Sequence, residues 1–121
     1  MIIAVWIATG ILAVLFALAG TMKVVTPYDR VGANERMAWV EDVNPGQLKG
    51  IGLLEVIGAI GLVLPAATGV VPWLTPVSAF ALAIMMVVAV LLHVRRRETF
   101  TPSLTLGIAA LVIGIGWVVF A

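Results

Sequence analysis

The chain has 121 residues, of which 63% are hydrophobic and only 11% are charged, and its formal net charge is +1. A chain this short cannot bury so much apolar surface in water, so its composition excludes a soluble globular domain and indicates a lipid environment. The small net charge gives no basis for nucleic-acid binding, and the absence of cysteine excludes disulfides, thiolate catalysis and thiolate ligation of metals.

The chain contains four apolar segments of about the length that a membrane-spanning helix requires, which is about 20 residues. The sequence therefore predicts a single transmembrane domain whose four helices cover about residues 2–22, 48–65, 73–92 and 104–121. Proline and glycine between residues 65 and 72 predict a turn between the second and third helices. Thr101 and Pro102 are typical of the start of a helix. No basic residue precedes the first segment, so we interpret it as a retained helix and not as a cleaved signal peptide.

The loop over about residues 23–47 is the only sizeable polar segment. Two interpretations of its middle part remain open. Residues 34–42 form either a short helix that Asn34 caps, with Met37 and Trp39 resting on lipid headgroups, or a solvated connector.

The basic residues predict how the chain is oriented in the membrane. All seven lie in the first or the third connection between helices or directly at its edge: Lys23, Arg30, Arg36, Lys49, Arg95, Arg96 and Arg97. The positive-inside rule then places both of these connections in the cytoplasm and both termini outside. Three tryptophans lie near the opposite interface and are predicted to anchor it: Trp6, Trp73 and Trp117.

Small residues recur at helical spacing on three of the segments, and such faces let membrane helices approach closely. The predicted fold is therefore all-α, an antiparallel bundle of four transmembrane helices with small residues inward and large apolar residues outward. The predicted packing positions are Gly10, Ala13, Ala17, Gly20, Gly52, Gly58, Gly107, Ala110 and Gly114. The last three of these also suit contact with a second copy of the chain.

Glu55 is the one charged residue deep inside a predicted span, since Lys49 stands at the very start of the second one. A charge near the middle of a bilayer costs about 3 kcal/mol, so such a residue usually faces other helices and has a partner. Lys23 and His93 end helices in the same half of the bundle and complete a candidate polar cluster. In one interpretation Glu55 fixes the helix register by binding Lys23 or a hydroxyl such as that of Thr21. In the other, the cluster forms a pocket for a lipophilic head group or a protonatable site.

Three segments, taken in order, resemble the DoxX-like family of small four-helix membrane proteins. They are the Gly20–Lys23 motif, the glycine-rich stretch 50–65 with its embedded Glu55, and residues 85–98 with His93 ahead of the arginines. The resemblance implies a multi-pass protein of the bacterial cell membrane. It also implies a link to quinol oxidase or thiosulfate:quinone oxidoreductase systems, with Lys23, Glu55 and His93 as the polar cluster.

The sequence contains no recognisable catalytic constellation, and one histidine without paired carboxylates predicts no metal site. We therefore expect a non-catalytic accessory subunit of a larger membrane complex, either a transporter or a redox assembly. Its expected partners are the lipid bilayer and the other subunits of a membrane complex. A homo-oligomer of the chain is the second type of assembly that the sequence allows. The alternative is a quinone- or lipid-binding component of a membrane oxidoreductase system; no other cofactor is expected.

Overall fold

The structure, a computed structural model, describes residues 2–32, 37, 39, 40 and 43–120. Its helices are α1 (Ile2–Val25), α2 (Tyr28–Gly32), α3 (Pro45–Thr68), α4 (Leu74–Arg95) and α5 (Thr101–Phe120). All of them except the short α2 are long and apolar enough to cross a membrane.

The four long helices pack in a closed ring, with α1 against α3, α3 against α4, α4 against α5, and α5 against α1. Neighbours in the ring run antiparallel. Along α3 and α4, for example, Gly58 lies against Leu82 and Gly61 lies against Ser78, so the numbering rises on one helix as it falls on the other. This arrangement confirms the predicted four-helix bundle.

Large apolar side chains fill the centre of the bundle between small ones. Phe16 and Leu62 are completely buried, and they share the core with Ala79 and Ala110, which are also completely buried. The expectation that large apolar residues face outward is therefore wrong for part of each helix. Interdigitating large and small side chains fill the space between four helices better than small residues alone.

Most of the predicted small residues lie against a neighbouring helix, but Gly10 does not. A methyl group at Gly10 would meet no atom within 4 Å. The buried face of α1 is Thr9, Leu12, Ala13, Phe16 and Gly20. At 3.6 residues per turn, Gly10 lies at the edge of that face, and so does Ala17, which is only partly buried.

The small residues of α5 face the interior of the bundle. Gly107 lies against Met86, Gly114 lies against Phe80, and Ala110 is completely buried. Ala110 and Gly114 are buried inside one chain and so present no surface to a second copy, whereas Gly107 is only partly buried, and its contact with a second copy stays a prediction.

Helix α3 starts earlier than the apolar segment suggests, because a capping box fixes its first turn. The Asn44 side chain accepts a hydrogen bond from the Gln47 backbone N–H at 2.7 Å, and the Gln47 side chain accepts one from the Asn44 backbone N–H at 3.0 Å. Pro45 occupies the first helical position, where no backbone N–H is needed.

The same helix ends later than predicted, at Thr68 and not at Pro65. Pro65 lies inside the last turns of α3, and Gly69 closes the helix in the left-handed conformation, with φ of 72°. The Ala66 N–H, next to the proline, donates at 3.1 Å to the hydroxyl of Thr75 on α4. This buried hydroxyl therefore satisfies a backbone group close to the point where a proline disturbs helical hydrogen bonding.

The tryptophans at the non-basic end differ in their surroundings. Trp73 is exposed, whereas Trp117 is buried and its indole N–H donates to the Thr9 hydroxyl at 2.9 Å. The rings of Trp6 and Trp117 meet edge to face, with centroids 5.0 Å apart. Trp117 thus joins α5 to α1 inside the bundle, and anchoring at the interface stays a prediction for Trp6 and Trp73.

Candidate functional site at the basic end of the bundle

Helices α1 and α3 cross in backbone contact at two glycines. A methyl group at Gly20 would lie 2.5 Å from the Gly52 carbonyl oxygen, and one at Gly52 would lie 2.6 Å from the Gly20 carbonyl oxygen. Real Cβ atoms do not occur at such distances. The crossing therefore depends on glycine in both helices, and it brings together the side chains one turn away on each.

Those side chains form a buried ion pair. Lys23 Nζ donates a hydrogen bond to Glu55 Oε1, which joins α1 to α3. The Glu55 side chain is 3% exposed and that of Lys23 is 12% exposed. The first interpretation of Glu55, which joins it to Lys23 or to a hydroxyl, rests on a contact that the structure contains. That contact is with Lys23, whereas Thr21 is exposed.

Trp39 covers the ion pair from the loop between α2 and α3. Lys23 Nζ lies 5.8 Å from the centroid of the Trp39 ring, within the range of a cation–π interaction. Trp39 is only 9% exposed, so it lies neither in solvent nor on the outer surface that headgroups contact. Trp39 and Val40 are in 3-10 helical conformation, as the interpretation of a short helix expects, but Trp39 faces the bundle and neither headgroups nor solvent. The predicted cap Asn34, and most of the short helix that it would begin, lie outside the described residues.

A small second core holds this part of the loop against the helices. Trp39, Val40 and Leu48 are buried together, and partly buried residues from α1, α2 and α4 pack around them: Met22, Tyr28 and Leu92. The Tyr28 hydroxyl lies 2.7 Å from the carbonyl oxygens of both Val40 and Val43, and it donates its single proton to one of them at a time. A polar loop between two spans is thereby packed closely onto the bundle.

His93 reaches the cluster from α4 through Trp39. Its ring meets that of Trp39 edge to face, with centroids 6.2 Å apart. Its Nδ1 lies 3.2 Å from Glu98 Oε1, and the other carboxylate oxygen of Glu98 lies 3.1 Å from Arg96 Nε. Among the described residues, His93 makes no direct polar contact with Lys23 or Glu55.

The turn that ends α4 brings Glu98 back over His93. The Glu98 N–H donates to the His93 carbonyl at 2.8 Å and the Arg97 N–H to the Val94 carbonyl at 3.0 Å, the two bonds of a Schellman motif. Arg97 takes the left-handed position of that motif, with φ of 58°, where glycine is usual. The turn therefore places a carboxylate beside the only histidine.

The predicted polar cluster is thus assembled in two parts. Lys23 and Glu55 bind each other directly, and His93 is connected to them by Trp39. Sequence reasoning missed Trp39 and Glu98 as members of the cluster. Glu98 had a signal, since it follows His93 by five residues just past the end of a helix. No three His, Asp or Glu side chains of the described residues come together as metal ligands.

Two open apolar grooves lie on the outside of the bundle. One, of about 430 Å³, runs between α4 and α5; the other, of about 260 Å³, runs between α1 and α5. Lys23, Glu55 and His93 line neither of them.

The chain was compared with known proteins and protein families. No curated protein and no solved structure matches it. The model of the DoxX-like family matches residues 7–118, which is nearly the whole chain and includes Lys23, Glu55 and His93. Together with four apolar helices packed in a bundle, this match shows that the chain is a multi-pass membrane protein of the DoxX-like family.

Proposed function

We propose that this chain is a non-catalytic accessory subunit of a larger complex in the bacterial cell membrane, either a transporter or a redox assembly. The observation that carries the proposal is the pairing of Glu55 with Lys23. The one intramembrane carboxylate is used to join two helices of the chain itself. The remaining lipid-facing surface consists of apolar side chains that suit contact with lipid or with a partner helix, for example Ile7, Ile57 and Ile84.

The proposal includes an orientation with both termini outside and both basic loops in the cytoplasm. Its support is the placement of all seven Lys and Arg residues in the two connections at one end of the bundle or in the helix turns beside them. Because the chain has no cysteine, single cysteines report orientation cleanly. We expect Thr68→Cys to react with an impermeant thiol reagent in intact cells and Asp29→Cys to react only after lysis. The reverse pattern would invert the proposed topology.

The accessory role is tested by purifying the natively expressed protein in a mild detergent and measuring its stoichiometry by native mass spectrometry. We expect another membrane protein to be retained at a fixed ratio. Tryptophan variants on the exposed helix faces are tested one at a time, and the variant on the face that contacts the partner should lose it. Ile57→Trp on α3 and Val118→Trp on α5 sample opposite parts of the ring. A protein that purifies alone from native membranes, in every detergent that preserves the fold, would contradict the proposal.

The alternative is a quinone- or lipid-binding component of a membrane oxidoreductase system, with the head group at Lys23, Glu55 and His93. The observation that favours it is the position of Trp39, a flat ring between Lys23 and His93 that belongs to a loop and not to a helix. If Trp39 moved aside, the cation and the histidine would both face the vacated space. Neither of the two grooves described above reaches these residues.

This alternative predicts that a short-chain quinone quenches the fluorescence of Trp39 with a saturable dependence on concentration. Trp39→Phe removes that component, while Trp73→Phe, at the opposite end, keeps it. Quenching that rises linearly with quinone, or that is equal in the two variants, would exclude the site.

A further inference from the structure

We propose that the groove between α4 and α5 binds one acyl chain of an anionic phospholipid, whose head group is held by Arg95 and Arg97. The inference is independent of the accessory role, since it concerns a different face of the bundle. Its support is the length and lining of the groove, its position along the two helices, and the charge beside its end.

The groove has the length of one lipid chain. It extends along α4 from Phe80 to Leu91 and along α5 from Ser103 to Leu111. Eleven helical steps on α4 correspond to about 16 Å, and one leaflet of the hydrocarbon core is about 15 Å thick. The lining is apolar except for Ser103, which lies at the basic end.

The position of the groove distinguishes a lipid from a partner helix. On α5, the lining residues run from Ser103 to Leu111, so the groove ends at the middle of Thr101–Phe120 and occupies the side nearer to the basic loop. A transmembrane partner helix runs through both leaflets and would need a groove along the whole of α5. A lipid of the basic-side leaflet needs only the half that is present.

Two arginines lie beyond the basic end of the groove. Arg95 follows Leu91 by four residues and is therefore on the same side of α4, one turn further on. Arg95 and Arg97 are exposed, and neither has an ion-pair partner within the described ranges. The nearby carboxylate of Glu98 is engaged by His93 and Arg96. The head group that complements these two cations is a phosphate ester with a net negative charge, and the expected source is the leaflet itself.

The test measures lipid retention by the purified full-length chain in native mass spectrometry. Phosphatidylglycerol and phosphatidylcholine with identical acyl chains are the probes. We expect the anionic lipid to be retained at least fivefold more than the zwitterionic one. Arg95→Gln combined with Arg97→Gln should remove this preference, because each basic residue near the surface contributes about a fivefold factor. Arg30→Gln, on the exposed face of α2, should leave it unchanged.

Two adjacent valines give a matched test of the groove itself. Val87 lines the groove and Val88 does not, while both are more than half exposed. We expect Val87→Trp to lower retention of both lipids at least fivefold and Val88→Trp to have no effect. If Val87→Trp fails to fold, Ile108→Trp blocks the same groove from α5.

Three results would overturn the proposal. The first is equal retention of the two lipids by the wild-type chain. The second is equal behaviour of the tryptophan variants at positions 87 and 88. The third is a dimer that Val87→Trp abolishes while lipid adducts persist, which would assign the groove to a second copy of the chain.

Discussion

The aliphatic part of the Lys23 side chain packs directly over Gly52: a methyl group at Gly52 would lie 2.9 Å from the Lys23 Cβ. The arrangement is reciprocal, because a methyl group at Gly20 would lie 3.0 Å from the Glu55 Cβ. Each charged residue follows a glycine by three positions and packs on the glycine of the opposite helix. The close crossing and the ion pair are therefore two parts of one contact.

Gly52→Ala should destabilise the bundle by about 2 kcal/mol, the usual cost of forcing a methyl group into a packed interior. The added methyl would collide with the Gly20 carbonyl oxygen, and the backbone cannot move aside as a flexible side chain can. Thermal unfolding in detergent measures the effect. Gly50→Ala is the control, since a methyl there meets no atom within 4 Å, and we expect it to be neutral or slightly stabilising. Equal midpoints for the two variants would contradict the close crossing.

Glu55→Gln should destabilise the fold by about 3 kcal/mol, because it leaves the largely buried Lys23 ammonium without its counter-charge. Adding Lys23→Met to this variant should restore most of the loss. Lys49→Met, which removes an exposed lysine from the same helix end, is the control for a general effect of charge. The fraction of folded protein after detergent extraction and the unfolding midpoint are the measurements. Full stability of Glu55→Gln would mean that Glu55 serves only as a hydrogen-bonding spacer.

Arg97→Gly should raise the unfolding midpoint. Arg97 is held in the left-handed conformation, which costs a non-glycine residue about 1 kcal/mol, and glycine adopts it without that cost. Arg95→Gly removes the same charge from inside the last turn of α4 and should lower the midpoint. If both variants shift the midpoint in the same direction, charge and not backbone conformation determines the result.

Tyr28→Phe should loosen the loop without unfolding the bundle. It removes one hydrogen bond to the backbone near Val40 and Val43, worth about 1 kcal/mol, so local opening should become about fivefold more frequent. The initial rate of tryptic cleavage after Arg30 reports this opening. Thr68→Ala removes a hydroxyl at the opposite end and should leave the rate unchanged. An unchanged rate in Tyr28→Phe would mean that the second core alone holds the loop.

The sequence predicted the four long helices because membrane spans are signalled by the length of an apolar run. It predicted the ends of the helices less well, because a helix continues beyond its apolar residues as long as its backbone hydrogen bonds are formed. The Asn44 capping box starts α3 before its apolar residues begin, and Gly69, four residues after Pro65, ends it. Both signals were present in the sequence, but hydropathy alone does not detect them.

The candidate site was predictable where chemistry limits the choice of partner. Glu55 needed a cation in its own half of the membrane, and Lys23 was available one turn from a glycine. Trp39 could not be placed in this way, because its neighbours Met22, Tyr28 and Leu92 come from three helices, of which α4 is remote from Trp39 in the chain. The face of α1 was misjudged at Gly10, which follows helical spacing but lies beside the buried stripe, whereas Ala17 packs against the edge of the core.

The pairing of Lys23 with Glu55 also bears on the order in which the chain enters the membrane during synthesis. Lys23 belongs to a span that leaves the ribosome before α3, and its long side chain reaches water at the bilayer surface. The span that carries the acid follows, so its carboxylate meets a cation already in place. We therefore expect α3 to integrate poorly when it is translated without α1, and efficient integration to require the two helices as a hairpin.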